Sequence, residues 1–493
     1  METKMASVVL FDFDSTLVKT RSVREIRESL EYELLTPETM AQVAPYRPVP
    51  ELIRELRERG VLLGIVSNAG RGYIDRILDY LEMKDNFDVV VTYSDVKRAN
   101  KEPKPAPDGI LLALERLGEK PGPHVLYVGD EYIDIVAAYN AGVTPVVPTW
   151  ASRESVSTAP AATLSSRNLI DYFSDPNDFR FFAERAAEHQ SINFHRGATY
   201  FLPLDLSGNV VTVAEQLRIL CLGRYYSQKA VVTATLHETH ALSQDIARKE
   251  SIPQFELQPY WVDVVLHILR RGPEYLFHNE HPFDLITVVP GKAGGHPRLE
   301  NFLRQVHQAA GAEFAGVSFD TLLLQYVDDA QKQKTLSADQ RAAEAKRALQ
   351  LAGGVAERIR GRHVLVIDDV VTTGSTIARA IDLLETAGAA SVTGLAFAKT
   401  VSVQQDEKSC PRCTRPMRLR RNQADGSHFW GCSGYFADEE DERCAYTEDM
   451  HPKFCRVCNR PMVRRTNRKN DNRFWGCTGY NQTPSCNYTE DIQ

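Results

Sequence analysis

Residues 8–16 read VVLFDFDST, an apolar run that ends in two aspartates one residue apart, Asp12 and Asp14. The β-branched and aromatic run predicts a buried strand. Both carboxylates then lie at its carboxyl end, where open α/β sheets bind ligands. Side chains two positions apart on an extended backbone point the same way, so one carboxylate can attack phosphorus while the other protonates the leaving group. The stretch predicts an α/β domain; two aspartates taken alone are more typical of a solvated turn, so a phosphoryl-transfer site depends on further residues.

Three further groups of polar residues follow in an order that suits the same chemistry. Ser67 and Asn68 end the run LLGIVSN and can bond phosphoryl oxygens, and Lys104 in KPAP can neutralise the charge on carboxylate and phosphate. Another pair of aspartates follows the run VLYVG. Mg²⁺ prefers oxygen ligands, usually one or two carboxylates plus phosphate, so the sequence predicts a magnesium site. Its predicted ligands are Asp12, Asp14, Asp130 and Asp134.

This ordered set resembles the four motifs of the haloacid dehalogenase superfamily, and the resemblance covers roughly residues 6–175. It implies a Rossmann-like doubly wound sheet, an aspartyl-phosphate formed on Asp12, and Asp14 as general acid and base. The insert between Thr16 and Ser67 is short, which is typical of an open site that admits large substrates. The predicted strands are Val8–Phe11, Val61–Val66, Asp88–Val91, Val125–Val128 and Thr144–Val147. Residues 151–163 are small and polar and predict a surface connection.

A second motif follows another apolar strand, at residues 364–376, VLVIDDVVTTGST. Backbone N–H groups at a turn that opens a helix cradle phosphate, and this helix is expected to begin at about Ile377. The paired acids suit ribose hydroxyls. Upstream, the strand DLITVVPGK runs into GKAGGHPR, whose lysine and glycines can form a pyrophosphate loop. The predicted substrate-binding residues are Lys292, Gly294, Gly295, Asp368, Asp369, Thr372, Thr373, Gly374, Ser375 and Thr376.

These residues resemble the phosphoribosyl pyrophosphate (PRPP) motif of type I phosphoribosyltransferases, which implies PRPP as a substrate. Residues 333–341, QKTLSADQR, resemble the mobile loop of the ComF subgroup, but the arginine-rich and RGFN-like residues of that subgroup are not found. The alternative is a domain that keeps this fold only as a sensor, since fold does not determine function. The predicted strands are Leu285–Val289, Thr321–Val327, Val364–Ile367 and Val392–Ala396, and Lys332–Leu351 is expected to be helix or loop.

Eight of the nine cysteines lie near the end of the sequence and repeat one spacing. Each set has two cysteines separated by two residues, with eighteen residues before the third. Four thiolates close a tetrahedral zinc shell, so two structural Zn²⁺ ions are predicted. The predicted ligand sets are Cys410, Cys413, Cys432 and Cys444, and Cys455, Cys458, Cys477 and Cys486. The ninth cysteine, Cys221, is expected to fill the core within an apolar helical stretch.

The aromatic context of these cysteines is also repeated, because FWGCSGY at 429–435 returns as FWGCTGY at 474–480. It resembles the C-terminal four-cysteine zinc ribbons of bacterial type IA topoisomerases, which implies binding of single-stranded DNA. From Lys408 onward, 15 Lys and Arg stand against 11 Asp and Glu, and basic residues beside aromatic faces suit single strands. The alternatives are that the aromatics form the ribbon core, or that the ribbons bind protein. The predicted nucleic-acid contacts are Arg420, Arg421, Trp430, Arg464, Arg465 and Trp475.

Length and composition indicate several domains in one chain. The 493 residues exceed one hydrophobic core, and the predicted domains are residues 1–176, 190–405, 406–450 and 451–493. The net charge of −7 neither requires nor excludes a nucleic-acid partner. No signal peptide is evident at the N-terminus, and the longest apolar runs, such as Val61–Val66, fall far below the ~18 residues of a membrane span. A cytoplasmic protein without membrane contact is expected.

The leading hypothesis is a bifunctional enzyme of nucleotide or nucleic-acid metabolism. One domain removes phosphate from a nucleotide or sugar phosphate, the second transfers phosphoribose from PRPP with Mg²⁺, and the ribbons bind single-stranded DNA or RNA. Fusions of this kind resemble those of bacterial stress-response systems. The alternatives are an end-repair phosphatase with a nucleotide-sensing middle domain, and a DNA-binding regulator that responds to PRPP or nucleotides.

Overall fold

The computed structural model describes residues 7–151, 158–189, 202–204, 219–252, 254–275, 283–291, 295–326, 349–372, 374–403, 408–422, 428–436, 443–450, 453–466 and 473–491. The chain divides into two compact units. The first unit contains residues 1–227 and 236–403, and the second contains residues 228–235 and 404–493.

The first domain is built on a six-stranded parallel sheet, as its apolar runs predict. Its strands are β1 (Val8–Phe11), β4 (Leu62–Val66), β5 (Val89–Val91), β6 (Val125–Val128), β7 (Thr144–Pro148) and β8 (Ala162–Leu164), and a hairpin of β2 (Val18–Lys19) and β3 (Ala44–Pro45) follows β1. The sheet order is β5-β4-β1-β6-β7-β8, with every neighbouring pair parallel. Strand β8 corrects one prediction, because residues 162–164 are buried in the sheet rather than in a surface connection.

Helices cover both faces of this sheet. They are α2 (Val49–Glu58), α3 (Arg71–Tyr80), α4 (Tyr93–Arg98), α5 (Asp108–Leu117), α6 (Tyr132–Asn140) and α7 (Ser166–Tyr172), while α1 (Arg24–Ser29) lies on the insert after β1. Alternate side chains of β1 serve the two faces, since Val9 and Phe11 pack in one apolar cluster and Val8 and Leu10 in the other. The predicted doubly wound α/β fold is therefore confirmed for this part of the chain.

The second domain is a seven-stranded sheet that is mostly parallel. Its strands are β9 (Leu202–Leu204), β10 (Ile219–Cys221), β11 (Arg224–Tyr226), β12 (Leu285–Val288), β13 (Ser318–Phe319), β16 (His363–Val371) and β17 (Ser391–Val401). The order is β13-β12-β16-β17-β10-β9, and β11 also pairs with β17. A separate two-stranded sheet joins β14 (Leu324–Tyr326) to β15 (Leu349–Leu351). Its described helices are α8 (Phe182–Ala187), α9 (Val231–Thr239), α10 (Ala241–Ser251), α11 (Pro259–Tyr275), α12 (Arg298–Ala310), α13 (Ala356–Ile359) and α14 (Ser375–Thr386).

Three predictions about this domain are corrected. The domain begins before residue 190, because Phe182 and Ala186 of α8 pack in its core with Trp261 and Phe397. Cys221 is fully buried as expected, but it lies in a strand rather than a helix. Most of the segment predicted as helix or loop, residues 332–348, lies outside the described residues, and its end forms β15 as a strand.

The two α/β domains share a buried interface inside the first unit. Glu184 of α8 accepts two hydrogen bonds from the Arg224 guanidinium, at 2.7 Å from Nε and 2.8 Å from Nη2. Tyr139 of α6 places its hydroxyl 3.5 Å from Arg224 Nη1 and its ring edge-on to Tyr226. Burial acts to raise the pKa of Glu184, but Arg224 outweighs it and holds that pKa well below its ordinary value. The Glu184–Arg224 ion pair thus lies within the second domain, and Arg224 and Tyr226 contact the first domain through Tyr139.

The cysteine-rich segment forms two small antiparallel sheets. The first joins β18 (Met417–Arg421), β19 (His428–Cys432) and β20 (Thr447–Asp449), and the second joins β21 (Lys453–Phe454), β22 (Pro461–Thr466), β23 (Arg473–Cys477) and β24 (Thr489–Asp491). The register repeats, because Arg420 pairs with Phe429 as Arg465 pairs with Phe474. Among the described residues of the whole chain, no helix has the length and apolar character needed to span a bilayer.

Candidate functional sites

Three aspartates and a lysine meet at the carboxyl edge of the first sheet. Asp12 follows β1, Asp130 follows β6 and Asp134 lies in the first turn of α6, and their oxygens lie within 4.8 Å of one another. Lys104 Nζ lies 2.6 Å from Asp12 Oδ1 and 2.6 Å from Asp134 Oδ1. All four side chains are buried. The fold thus brings together residues from three separate segments of the sequence.

Burial and charge together set the ionisation of this cluster. Burial raises the pKa of Asp12 to about 7, with Lys104 opposing the shift and Asp134 adding to it. Burial and the nearby Asp12 carboxylate raise the pKa of Asp130 to about 9. Burial alone would lower the pKa of Lys104, but its two aspartates hold it well above the ordinary value. Three carboxylates face one ammonium, so the oxygen donors and the excess negative charge fit a divalent cation such as Mg²⁺.

A close approach of backbone and side chain positions Asp134. Its Oδ2 accepts from the Glu131 backbone N–H at 3.0 Å, which caps α6. The side chain lies so near Gly129 that a Cβ at that residue would be 2.5 Å from Asp134 Oδ2. Only glycine fits there without displacing the carboxylate. The Gly129–Asp130 pair of the sequence motif therefore has a steric basis.

Asp14 departs from the predicted metal set. Its Oδ1 accepts from the Tyr73 hydroxyl at 2.7 Å, and its Oδ2 lies 3.1 Å from Arg27 Nη1. The carboxylates that meet are those of Asp12 and the two later aspartates, without the Asp14 side chain. The reason is local, because β1 ends at Phe11 and Ser15 has a φ of 59°, so the backbone turns rather than staying extended. Asp14 nevertheless lines the same cavity of about 770 Å³ as Asp12.

Ser67 and Asn68 lie beside the cluster at the end of β4. Asn68 brackets the Lys104 backbone, donating to its carbonyl at 2.9 Å and accepting from its N–H at 3.0 Å. Ser67 is buried, accepts from the Ala69 N–H at 3.1 Å and lines the Asp12 cavity. Asn68 thus orients the lysine, while Ser67 presents a hydroxyl to the cavity.

Two residues that support this site were not predicted. Thr16 Oγ1 donates to Asp130 Oδ1 at 2.7 Å, and both groups are buried. Arg27, on the short insert after β1, reaches Asp14. Neither partnership has a sequence signal, because Thr16 and Asp130 are 114 positions apart.

The second site lies at the carboxyl edge of the second sheet. A cavity of about 540 Å³ opens there, and it brings together Gly295, Asp368 and Thr376 from the predicted set. Gly374 has a φ of 83° and directly precedes α14, whose first residues are Ser375 and Thr376. This left-handed turn is the conformation that glycine adopts at no steric cost. The predicted residues Lys292, Gly294 and Thr373 lie outside the described residues.

The paired acids of the second motif have different surroundings. Asp369 Oδ2 accepts from Lys249 Nζ at 3.1 Å and from Arg298 Nη2 at 2.6 Å. Burial raises the pKa of Asp368 to about 7, and the adjacent Asp369 adds to the shift. Burial acts to raise the pKa of Asp369, but the two cations outweigh it and lower that pKa. Asp368 lines the cavity, but Asp369 does not. Asp369 instead pairs with Lys249 and Arg298, and these two cations line the cavity.

Lys249 and Arg298 are functional candidates that the motif did not reveal. They lie on α10 and at the first residue of α12, and both line the cavity. Two cations in one concave site suit a pyrophosphate group. A further lysine, Lys399 of β17, donates to the Thr372 carbonyl in the phosphate turn. Only the fold brings these three basic residues to the motif.

The eight predicted zinc ligands form two clusters of four sulfurs, each with its ligand atoms within 4.8 Å of one another. In the first, Cys410 Sγ lies 3.7 Å from Cys444 Sγ, and the Cys413–Cys432 pair is 3.3 Å apart. The second repeats these distances at 3.6 and 3.3 Å. A disulfide requires about 2.05 Å, whereas a zinc tetrahedron with Zn–S of about 2.3 Å spaces its sulfurs by about 3.8 Å. The donors therefore fit two Zn²⁺ ions.

The aromatics of the cysteine-rich segment divide into core and surface residues. Trp430 is only 5% exposed and packs among the first four sulfurs, so its predicted stacking on a base is not supported by the structure. Trp475 is half-buried beside the second sulfur cluster. Tyr435 and Tyr480 are instead 58% and 55% exposed at matching positions. The side chains of Arg421 and Arg464 lie outside the described residues.

An arginine lies across the same strand in each repeat. A Cβ at Gly431 would be 2.9 Å from Arg420 Cδ, and a Cβ at Gly476 would be 2.9 Å from Arg465 Cδ. The Arg465 guanidinium also lies 5.9 Å from the centre of the Tyr480 ring. Each glycine therefore lets an arginine side chain lie close against the sheet, and in the second repeat that arginine lies beside the exposed Tyr480 ring.

Three family models match separate parts of the chain. The model for haloacid dehalogenase-like hydrolases matches residues 24–147, that for the phosphoribosyl transferase domain matches residues 276–417, and that for the topoisomerase DNA-binding C4 zinc finger matches residues 407–436 and 453–493. Three segments of one chain are thus similar to three different families. These matches confirm the family resemblances predicted from the sequence, for the haloacid dehalogenase-like hydrolase domain, the phosphoribosyl transferase domain and the topoisomerase-type ribbons.

Two curated relatives are each similar to part of this chain. Pyrophosphatase PpaX of Bacillus cereus is 38% identical over 108 residues, which cover 22% of this chain and 48% of the relative. Pyrophosphatase PpaX of Oceanobacillus iheyensis is 29% identical over 146 residues, covering 30% and 65%. A haloacid dehalogenase-superfamily hydrolase from Geobacter sulfurreducens superimposes with a TM-score of 0.28 and 22% identity, covering 34% of this chain and 98% of that one. The chain spans about half the length of the Bacillus relatives that it matches.

Proposed function

We propose that the haloacid dehalogenase-like domain hydrolyses phosphate monoesters or anhydrides with Mg²⁺. The observation that carries this proposal is the buried contact of Lys104 with Asp12, at 2.6 Å, beside two further carboxylates. An Asp12 oxygen bonds to phosphorus, the bond from phosphorus to the leaving oxygen breaks, and Asp14 gives its proton to that oxygen. Asp14 then takes a proton from water as the water oxygen bonds to phosphorus, and the bond from phosphorus to the Asp12 oxygen breaks, which releases phosphate and restores the Asp12 carboxylate. Mg²⁺ held by the aspartates would neutralise phosphoryl charge.

Pyrophosphate is a second candidate substrate for this domain. Both relatives named above are called pyrophosphatases. Phosphoribosyl transfer from PRPP releases pyrophosphate, so hydrolysis in the neighbouring domain would draw the transfer forward. The pairing gives one chain a reason to contain both domains.

Replacing Asp12 by asparagine tests the hydrolase. The amide keeps the shape of the carboxylate but loses its nucleophilicity, so magnesium-dependent hydrolysis of p-nitrophenyl phosphate and pyrophosphate is expected to vanish. Circular dichroism and the melting temperature should stay close to those of the unmodified chain. Robust hydrolysis by purified Asp12→Asn protein contradicts the assignment.

We further propose that the second domain transfers phosphoribose from PRPP to an acceptor. Asp368 and the turn at Gly374 suit the ribose and its phosphate, and Lys249 with Arg298 suits the pyrophosphate. Incubation with PRPP and a panel of nucleobases, followed by mass analysis of products, tests this directly. Loss of turnover in Asp368→Asn supports a transferase. The sensor alternative is supported if the unmodified protein binds PRPP without turnover and if PRPP changes its affinity for nucleic acid.

The ribbons complete the proposal as a module for single-stranded nucleic acid. The matching family model describes a DNA-binding zinc finger, each repeat exposes a tyrosine, and in the second repeat Arg465 lies beside it. A cytoplasmic location suits free zinc-binding thiolates. Removing residues 406–493 should abolish single-strand binding and leave hydrolysis of a small phosphate ester intact. Unchanged single-strand binding after this deletion makes a protein partner the better explanation for the ribbons.

A further inference from the structure

The hydrolase site continues into a second cavity beyond Asp14. This cavity, of about 690 Å³, is lined on one side by Asp14, Asp130 and Glu131. Its other side is formed by the short insert after β1, which includes the first residues of α1. Asp14, Arg27 and Glu131 line both this cavity and the one that contains Asp12. The two cavities therefore meet at the residue that would protonate the leaving group.

The charged residues of the insert are sorted by sign. All four cations between residues 19 and 33 line the second cavity, namely Lys19, Arg21, Arg24 and Arg27. None of the four glutamates in the same stretch, Glu25, Glu28, Glu31 and Glu33, lines it. The insert thus presents its positive charge to this cavity, while Glu28 lines the cavity that contains Asp12.

The pairing of these cations leaves part of the charge for a ligand. Arg27 contacts Asp14, and Arg24 contacts Glu28 at 2.8 Å on the exposed side of α1. The ammonium of Lys19 lies 5.4 Å from the centre of the Tyr46 ring, which also lines the cavity. Lys19 and Arg21 are exposed at the cavity rim. These two residues are the best placed to meet an anionic group.

We infer that this cavity is a leaving-group subsite for a second phosphate. With the scissile phosphoryl group at Asp12 and the leaving oxygen at Asp14, the remainder of the substrate lies in the second cavity, against Lys19 and Arg21. The substrate class is a compound whose leaving group itself carries a phosphate, either inorganic pyrophosphate or a nucleoside bisphosphate. The inference rests on the proposed hydrolase and adds the specificity of that site.

The test compares substrates with and without a second phosphate. The Lys19→Ala/Arg21→Ala variant is assayed on pyrophosphate, on a nucleoside 3′,5′-bisphosphate and on p-nitrophenyl phosphate. The ratio of kcat/KM for either doubly phosphorylated substrate to that for p-nitrophenyl phosphate is expected to fall by about tenfold, because charge-assisted contacts to phosphate are lost. A fall for pyrophosphate alone, or for the bisphosphate alone, identifies the source of the second phosphate.

Matched variants separate the subsite from net charge. Lys84→Ala/Arg98→Ala removes one lysine and one arginine from exposed positions of the same domain that line neither cavity, and it should leave the ratio unchanged. The charge-keeping variant Lys19→Arg/Arg21→Lys should restore most of it. An unchanged ratio in Lys19→Ala/Arg21→Ala, with normal hydrolysis of p-nitrophenyl phosphate, overturns the subsite and leaves the hydrolase standing.

A binding measurement decides the subsite even if no hydrolysis is found. Calorimetry with methylenediphosphonate and with methylphosphonate, in the presence of Mg²⁺, reports the second phosphate without turnover. Preference of the intact chain for methylenediphosphonate, lost in Lys19→Ala/Arg21→Ala, supports the subsite. Equal binding by both proteins refutes it. Absence of hydrolysis in the intact chain refutes the proposed hydrolase separately.

Discussion

Replacing Glu184 by glutamine is expected to destabilise the first unit by about 3–5 kcal/mol, because the change leaves a buried cation without its partner. The Glu184 side chain is fully buried, and that of Arg224 is 11% exposed. Glu184 accepts from Arg224 Nε, Nη2 and backbone N–H, at 2.7, 2.8 and 3.0 Å. The amide keeps the shape but offers only one acceptor oxygen and no charge. The geometry therefore places this pair at the upper end of ion-pair contributions.

The measurement is the free energy of unfolding from urea titrations. Glu188→Gln is the matched control, because Glu188 also pairs with an arginine, Arg180, but its side chain is 31% exposed. Exposed or half-exposed pairs contribute about 0–1 kcal/mol. A joint replacement, Glu184→Leu with Arg224→Met, should recover much of the loss, since it leaves no unpaired charge. A Glu184→Gln loss no larger than that of Glu188→Gln refutes the reasoning.

The same pair predicts a dependence on pH with a definite sign. The folded-state pKa of Glu184 lies well below its ordinary value of about 4.5. Its contribution to stability is therefore complete above the unfolded-state pKa and is lost as the pH falls through the folded-state value. The difference in unfolding free energy between the unmodified chain and Glu184→Gln should be constant near pH 7 and shrink below about pH 4.5. A difference that grows on acidification contradicts this account.

Three further predictions concern the tail and the second site. Metal analysis should return two zinc ions per chain and none in a chain of residues 1–405; iron–sulfur absorbance contradicts this. Replacing Tyr435 and Tyr480 by leucine should weaken binding of a single-stranded oligonucleotide at least about tenfold, since each stacked base contributes about 1–3 kcal/mol, and the zinc content should stay unchanged. Replacing Trp430 by leucine should instead cause loss of zinc, and a normal zinc content in that variant refutes the core role of Trp430. Gly374→Ala should weaken PRPP binding, because a Cβ at a φ of 83° costs about 1–2 kcal/mol; calorimetry that finds unchanged affinity refutes the phosphate-turn assignment.

The parts of the fold that could be predicted are those that follow from short stretches of sequence, such as apolar runs and glycine turns. Strand β1 runs from Val8 to Phe11 as predicted, since an unbroken apolar run buried on both faces leaves little alternative. The helix after the second motif begins at Ser375, two residues before the predicted start, because glycine at a left-handed φ allows the turn to close immediately. The prediction that Cys221 lies in a helix was wrong, because a buried strand of three residues has no periodicity that would distinguish it from a helical segment.

The sites were predictable only where the chemistry is carried by a motif. Asp12 and Lys104 could be paired because each stands in a recognisable context, although 92 positions separate them. Lys249 and Arg298 could not, because a basic residue on an amphipathic helix is ordinarily solvated, and only the packing of α10 and α12 turns these two toward Asp369. Asp14 was misplaced as a metal ligand because the extended backbone assumed for it ends three residues earlier, at Phe11.

The duplicated ribbons have a consequence for affinity that neither ribbon has alone. The two copies keep the same internal ion pair, Lys408 with Glu448 and Lys453 with Glu490, both at 2.5 Å, so they present the same chemistry twice on one tether. In the proposed binding of single strands, the second copy would meet the adjoining nucleotides at an effective concentration that short linkers raise to about the millimolar range. The two weak binding sites would then combine to give tighter binding, but only on a strand long enough to reach both ribbons. The proposed binding should therefore tighten with the length of the single strand until both ribbons are engaged.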